Sequence, residues 1–383
     1  MTLTEGALPF GLTVGQNGAL LDLPTENLFG YPSATITFAG ADLEVYWRFG
    51  GGVFSMSLKP DGSAIKGSFR QGDAGGTLMM IRSSFQADPA SVLDMRARDG
   101  RVLPGTLTLP ENTGEPVPLV ILHAGLGVAD RNGNNYNLAG RHDALAQLAA
   151  KLAAEGVASY RYDKRGSGLA TWQVSTESEL SFDAWVSDLV DVTATMAADR
   201  RFSSVWLFGM NDGALVAAAA AGKTKASGLL IACASADSPL DAIQDAVAQA
   251  PEEQRAEGQA IVAELLAGRT VRDVAPFYAS ALRPSLQPYL IEAFRYDLEA
   301  LLPAYTGRLV IIQGDMDLQA TVADFSALTE AAPRAETVLV PGMNHVLKEV
   351  SADVAVNNAA FSDPSYNVSG ALVMAVADFI AGL

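Results

Sequence analysis

Three short stretches carry residues able to do acyl-transfer chemistry. The first is Gly209-Met210-Asn211-Asp212-Gly213, behind the apolar run Val205-Trp206-Leu207-Phe208 and ahead of the Ala-rich run Ala214 to Ala221. The second is Gly314-Asp315-Met316-Asp317-Leu318-Gln319, and the third Pro341-Gly342-Met343-Asn344-His345. A G-x-S-x-G turn between a strand and a helix presents a serine nucleophile, and the partners of that serine follow in the order acid, then histidine. This chain has the spacing and the order, with Asn211 where the serine would be. His345, one of three histidines, would be the base. Asp317 would hold its Nδ1–H and stabilise the charged ring. Asp315 competes for that role, and the turn position favours Asp317.

A fourth stretch, Ala124-Gly125-Leu126-Gly127-Val128-Ala129-Asp130-Arg131-Asn132-Gly133-Asn134, also follows an apolar run, Leu119 to Leu122. Its glycines let backbone N–H groups approach a ligand oxygen. The other histidines, His123 and His142, lie at a strand end and at a helix start.

These groups require a scaffold that brings loops together at one edge of a sheet. Residues 1–85 read as a meander of short antiparallel strands, including Ala34 to Phe38, Leu43 to Trp47 and Gly52 to Met56, with turn signals at Asp61-Gly62 and at Asp73 to Gly76. From about residue 86 the rhythm becomes strand and helix in alternation, which makes parallel βαβ units. Arg101 to Leu107 reads as a hairpin strand, His142 to Glu155 as a helix and Val157 to Tyr162 as a strand. Glu179 to Asp199 is the next helix, and Leu229 to Cys233 the strand after the Ala-rich helix. Residues 238–302 break the alternation with helical periods alone and read as a helical lid over the carboxyl ends of the strands. The alternation resumes with Arg308 to Gln313, Val322 to Ala331, Thr337 to Val340 and a closing helix, Tyr366 to Ala381.

With those motifs in view, the chain resembles the bacterial α/β-hydrolase esterases that carry an N-terminal β domain. Their glycine loop A-G-S-G-P-x-D-R-D-G-N stands here as Ala124 to Asn134, with Leu126 at the usual serine. Their R-Y-D-K-R-G block is Arg161 to Gly166, their P-S-x-Q-P-Y segment Pro284 to Tyr289, and their G-x-x-D-I-Q turn Gly314 to Gln319. The resemblance covers nearly the whole chain. It implies an α/β-hydrolase fold with a helical lid, preceded by a small antiparallel β domain. It also implies a carboxylesterase whose oxyanion hole is made by the N–H groups of Leu126 and Asp212, beside Gly125 and Met210. The family's G-H-S-E-G is here Gly209 to Gly213, so the departure falls on the nucleophile.

A carboxamide offers no lone pair like that of a serine deprotonated by histidine, so Asn211 blocks the ordinary acyl-enzyme route. Asn does tolerate the left-handed backbone of such a turn, so the fold is expected to survive. Several readings of Asn211 stand open. It is a laboratory substitution, or a natural one in a chain whose His345 deprotonates water or a substrate carbon. It deamidates to a carboxylate nucleophile, a route disfavoured because Asp212 and not Gly follows. Or the chain is a non-catalytic, ligand-binding pseudo-esterase. Leu126 and Met210, each less polar than the family's residue, favour natural divergence.

The remaining expectations are coarser. A formal charge of −17 over 383 residues argues against nucleic acid and anionic membrane as partners. The expected partner is a small-molecule ester or carbonyl substrate, and a homodimer is left open. No cofactor is implied, and no His, Cys and carboxylate cluster at metal-ligand spacing occurs. The single cysteine, Cys233, excludes an intrachain disulfide and reads as a buried strand residue. The N-terminus shows no basic segment followed by an apolar one. That reads as a cytoplasmic protein, or as a periplasmic or secreted one whose leader has been removed.

Overall fold

A computed structural model describes residues 10–14, 18–23, 28–49, 52–61, 64–72, 74–81, 91–111, 114–125 and 127–382. The N-terminal part is all β. Strands β1 (Gly11–Val14), β2 (Ala19–Leu23) and β3 (Leu28–Pro32) form an antiparallel sheet. Strands β4 (Thr35–Ala39), β5 (Asp42–Phe49), β6 (Gly52–Asp61), β7 (Ala64–Gln71) and β8 (Ala74–Ile81) form a second, each pairing with the next. Alternate residues face inward, as a half-buried sheet requires. Ala19, Leu21, Val45, Trp47, Met56 and Leu58 make one buried cluster. Gly62, Asp73 and the expected boundary at residues 85 and 86 lie outside the described residues.

The larger part begins with β9 (Ser91–Val92), β10 (Met95–Arg96), β11 (Val102–Leu103), β12 (Gly105–Thr108) and β13 (Val117–His123). It continues with helix α1 (Ala144–Ala154), β14 (Ala158–Tyr162), α2 (Phe182–Ala197), β15 (Phe202–Met210), α3 (Gly213–Ala221) and β16 (Gly228–Ala232). After an insertion come β17 (Arg308–Gly314), α8 (Val322–Ala331), β18 (Glu336–Val340), α9 (Val354–Ala359) and α10 (Gly370–Ala381). Eight strands make one sheet in the order β18-β17-β16-β15-β13-β14-β12-β9. Strands β13 to β18 run parallel, and β12 and β9 pair antiparallel at one edge.

The apolar runs are continuous because both faces of the sheet are covered. Leu119, Ile121, Leu207, Leu229 and Ile311 pack with α2 and α3 on one face. Val120, Leu122, Phe208, Leu230, Val310 and Ile312 pack with α1 and α10 on the other. This is the α/β-hydrolase fold, with antiparallel β-sheets before it.

Three expected boundaries move for local reasons. Arg101 to Leu107 is not one strand: Pro104, which has no N–H to donate, parts β11 from β12, and the two join different sheets. Helix α1 starts at Ala144 because Asp143 takes a left-handed conformation, φ 50°. Helix α10 starts at Gly370, where the Ser369 side chain accepts from Leu372 N. The insertion holds α4 (Pro239–Ala248), α5 (Glu252–Leu266), α6 (Gln287–Ala293) and α7 (Leu298–Ala304). Its Val247, Ile261, Tyr289 and Leu302 join the core that α2 and α3 share.

Candidate active site

The turn between β15 and α3 is as tight as its glycines allow. A Cβ on Gly209 would lie 2.5 Å from Gly213 O, and one on Gly213 would lie 2.5 Å from Ala124 O. Both positions therefore exclude a side chain, and α3 packs directly on the sheet. Between them Asn211 sits at φ 52°, in the left-handed region that Asn enters more readily than most residues. Its N–H donates to Ala232 O at 2.9 Å. Ala214 N and Leu215 N bond back to Asn211 O and Asp212 O. The N–H of Asp212 stands at the helix start, where donors lack intrahelical partners.

Two further loops meet this turn. His345 Nδ1 lies 3.0 Å from Asp317 Oδ2 and 3.1 Å from Oδ1. Asp317 Oδ1 also accepts from Gln319 N at 2.8 Å and Ala320 N at 3.0 Å, and Oδ2 from Gln313 Nε2 at 3.1 Å. Asp315 faces elsewhere: its Oδ1 accepts from Gly342 N at 2.7 Å, tying the acid turn to the histidine turn. A ring of amides reinforces the join. Asn344 Oδ1 accepts from Val346 N and Lys348 N, and Asn344 Nδ2 donates to Asn357 Oδ1 at 3.1 Å. Asn357 Nδ2 in turn donates to Met316 O at 2.7 Å. Phe361 stacks on the His345 ring with centroids 6.4 Å apart.

The side chain of Asn211 completes the constellation. With its NH2 donating to Cys233 O at 3.3 Å and His345 O at 3.2 Å, its oxygen stands 3.2 Å from His345 Nε2. The Cys233 carbonyl reaches that point because Cys233 is itself left-handed, φ 52°. The Cys233 side chain is fully buried, and burial pushes its thiol well above the ordinary range. Backbone strain of this kind gathers at functional sites.

The glycine loop is held from behind. Lys164, buried, donates to Gly125 O and to Ala129 O, the latter at 3.0 Å. Burial lowers its ammonium to about 8, against the opposing pull of Asp130, Asp163 and Asp212. Asp163 accepts from Arg131 N at 2.8 Å and Arg131 Nη2 at 2.7 Å. The Arg161-to-Gly166 block thus fixes the loop from inside the fold. Leu126 lies outside the described residues.

A cavity of about 260 Å³ opens beside the turn, with Gly125, Met210, Asn211, Asp212, His142 and His345 in its wall. Met210 is buried, while Asp212 is exposed at the cavity wall. Desolvation raises the Asp212 carboxyl above its usual range, and His345 and Lys164 partly offset it. The other histidines are buried. Desolvation, helped by Lys164, depresses His123 to about 3, and desolvation with Lys348 depresses His142 to about 4. The fold therefore brings Gly125, Met210, Asn211, Asp212, Asp317 and His345 to one place and leaves Asp315 in a turn-fixing role. Gln313, Asn357 and Phe361 also belong to the site. Gln313 carries a positional signal as the last residue before the acid turn, whereas Asn357 and Phe361 carry none. Among the described residues, no group of His, Cys and carboxylates is placed to hold a metal, and no helix is long and apolar enough to cross a membrane.

The sequence family described as serine aminopeptidase, S33, matches residues 138–267, about a third of the chain, from the loop before α1 through α5. No curated protein matches the chain. Among solved structures, the alpha/beta hydrolase GrgF from Penicillium sp. sh18 is similar at 14% identity and a TM-score of 0.51, covering 77% of this chain and 98% of its own. Est1E from Butyrivibrio proteoclasticus is similar at 16% identity and a TM-score of 0.49, covering 76% and 99%. A thermophilic esterase from Thermogutta terrifontis gives 19% identity and a TM-score of 0.46, covering 76% and 99%. At 14% identity the likeness to GrgF is one of fold alone, and the fold of this chain is that of the α/β-hydrolases.

Proposed function

We propose that the cavity is a carboxylesterase-type site for a small or medium uncharged ester or related carbonyl compound, with acyl-enzyme formation blocked at Asn211. One observation carries the reading. The residue at the strand-to-helix turn, left-handed at φ 52°, lies within 3.2 Å of a histidine whose other nitrogen is held by a carboxylate. That is the geometry by which a histidine activates a serine. In this reading His345 is the base, Asp317 its orienting acid, and the N–H groups of Leu126 and Asp212 are the oxyanion donors. The helical insertion is the lid. The partner is a small molecule; the charge of −17 disfavours nucleic acid and anionic membrane.

With the amide in place, the chemistry left to this site is His345 acting on water or on a substrate carbon, with the oxyanion N–H groups stabilising the developing charge. Either requires Asn211 to leave Nε2. The engagement of Nε2 by the amide therefore favours a second reading, a non-catalytic ligand-binding protein on an esterase scaffold. Hydrolysis of short p-nitrophenyl acyl esters tests the common core of both. Asn211→Ser is expected to turn over such esters with a burst, and the chain itself to show none. A serine form silent on every ester tried would remove the esterase reading.

A further inference from the structure

The hydrogen-bond partners of the Asn211 amide determine where the protons of His345 sit. Two carbonyls, Cys233 O and His345 O, converge on one end of the amide at 3.3 and 3.2 Å. Only the NH2 satisfies two acceptors, so the amide oxygen is the atom facing Nε2 at 3.2 Å. An oxygen there accepts, so Nε2 must donate. On the opposite edge Nδ1 faces Asp317, whose oxygens already accept from Gln319 N, Ala320 N and Gln313 Nε2. What reaches Nδ1 is again an acceptor, so Nδ1 must donate too. Reversing the amide would press its oxygen against two carbonyls. Placing the proton on Nε2 alone would press a bare Nδ1 against a carboxylate.

We propose that Asn211 locks His345 in its doubly protonated form, so that the ring meets a ligand as a cation and not as a base. This deepens the second reading above and rests on it for the identity of the pocket. The charged and titratable groups acting on the ring are Asp317 from the turn after β17, Asp212 from the turn before α3, and His142 from the loop before α1. Two are carboxyls, which favour the cation, and the third is a histidine that burial keeps uncharged. A serine at the same place behaves differently. Its hydroxyl donates to a bare Nε2, and the neutral ring then serves as base. The residue at the turn thus sets which end of the proton transfer His345 can perform. Both ring N–H groups are engaged, Nε2–H by Asn211 and Nδ1–H by Asp317, so the ring acts on a ligand through its charge, and the site accordingly favours an electron-rich oxygen such as a carboxylate and holds it without turnover.

The test is direct because the chain has three histidines. His123 and His142, at about 3 and about 4, are neutral near pH 7. In long-range 1H–15N spectra of the full chain near pH 7, one ring is expected to show two protonated nitrogens, and that ring's signals should vanish in His345→Asn. In Asn211→Ala, or in Asn211→Ser if the alanine form does not fold, the same ring is expected to lose the proton on Nε2 and keep the one on Nδ1. Three neutral rings in the unaltered chain overturn the proposal, as does a doubly protonated ring that persists in the alanine or serine form. The outcome is independent of ester turnover. An active serine form with a neutral parental ring would end this inference and leave the esterase reading intact, and a doubly protonated ring with an inactive serine form would do the reverse.

Discussion

Asn211 fills the hydrogen-bonding space at the turn, and the orienting role proposed for Asp317 is testable once a serine is placed there. In the Asn211→Ser background, Asp317→Asn would leave the side chain's shape but offer Nδ1 a weaker and less directional partner. The expected loss in kcat is roughly 10⁴-fold, as for the corresponding change in a Ser-His-Asp triad. Asp315→Asn in the same background should leave kcat within a few fold, because Asp315 binds Gly342 N and not the imidazole. Steady-state kinetics of the two double variants separates the roles. If both lost activity equally, Asp317 would have no special standing.

The elements around the site owe their geometry to close backbone approach. Adding a methyl at Gly213 sets it 2.5 Å from Ala124 O and 2.9 Å from His123 O, so either α3 or the strand end must shift. Gly213→Ala is expected to destabilise the fold by roughly 1–3 kcal/mol, the usual cost of overpacking. Gly222→Ala, where nothing lies within 4 Å and φ is −66°, is expected to be neutral or stabilising by up to about 1 kcal/mol. Urea midpoints of the two variants give the comparison, and a Gly213 variant as stable as the parent would mean that α3 sits more loosely on the end of β13 than these distances allow.

Much at this level was legible in the sequence. The runs Leu119 to Leu122 and Leu229 to Ala232 announce strands covered on both faces, and the paired glycines of the turn announce a helix close to the sheet; Cys233, expected as a strand residue, is buried but stands past the end of β16 at φ 52°. Helix α8, expected over Val322 to Ala331, stands at those bounds, and the structure shows Thr321 and Asp324 closing its start as a capping box. The split at Pro104 was not legible, because partner strands of β11 and β12 are chosen by tertiary pairing. Nor was Asn357, whose role depends on contacts with Met316 and Asn344 across more than ten residues of chain. The orientation of the Asn211 amide depends on the left-handed turn at Cys233, and nothing in the run Ile231-Ala232-Cys233 foretells that turn.

The whole molecule should sense acid through its buried histidines. His123 and His142 lie below their ordinary value of about 6.5 in the folded state, so the unfolded chain binds the extra protons. Stability they contribute is therefore present above pH 6.5 and lost as pH falls toward 4 and 3. Between pH 6.5 and 5 each histidine is expected to cost about 2 kcal/mol, since one unit corresponds to about 1.4 kcal/mol. Asp130 opposes this slope: burial, with Asp163 nearby, raises it to about 7, so it withdraws stability as pH rises from 4 to 7. A single-residue comparison isolates the effect. His123→Phe should keep the ring beside Tyr162, relieve a buried Nε2 that has no partner, and lose about 2 kcal/mol less than the parent on going from pH 6.5 to 5. Equal losses in parallel urea titrations would mean that His123 does not carry that share.

The left-handed turn at residue 211 has a meaning for the history of the chain as well. Asn rests in that conformation at less cost than Ser, and here it also satisfies two carbonyls that a hydroxyl, with its single proton, cannot both serve. A serine at this position would supply a nucleophile by giving up part of what makes the turn comfortable. Active sites commonly trade durability against turnover in this way. A lineage that ceased to need the reaction would drift toward Asn under selection for persistence alone, and would keep its histidine and aspartate as fittings of the new arrangement instead of relics of the old.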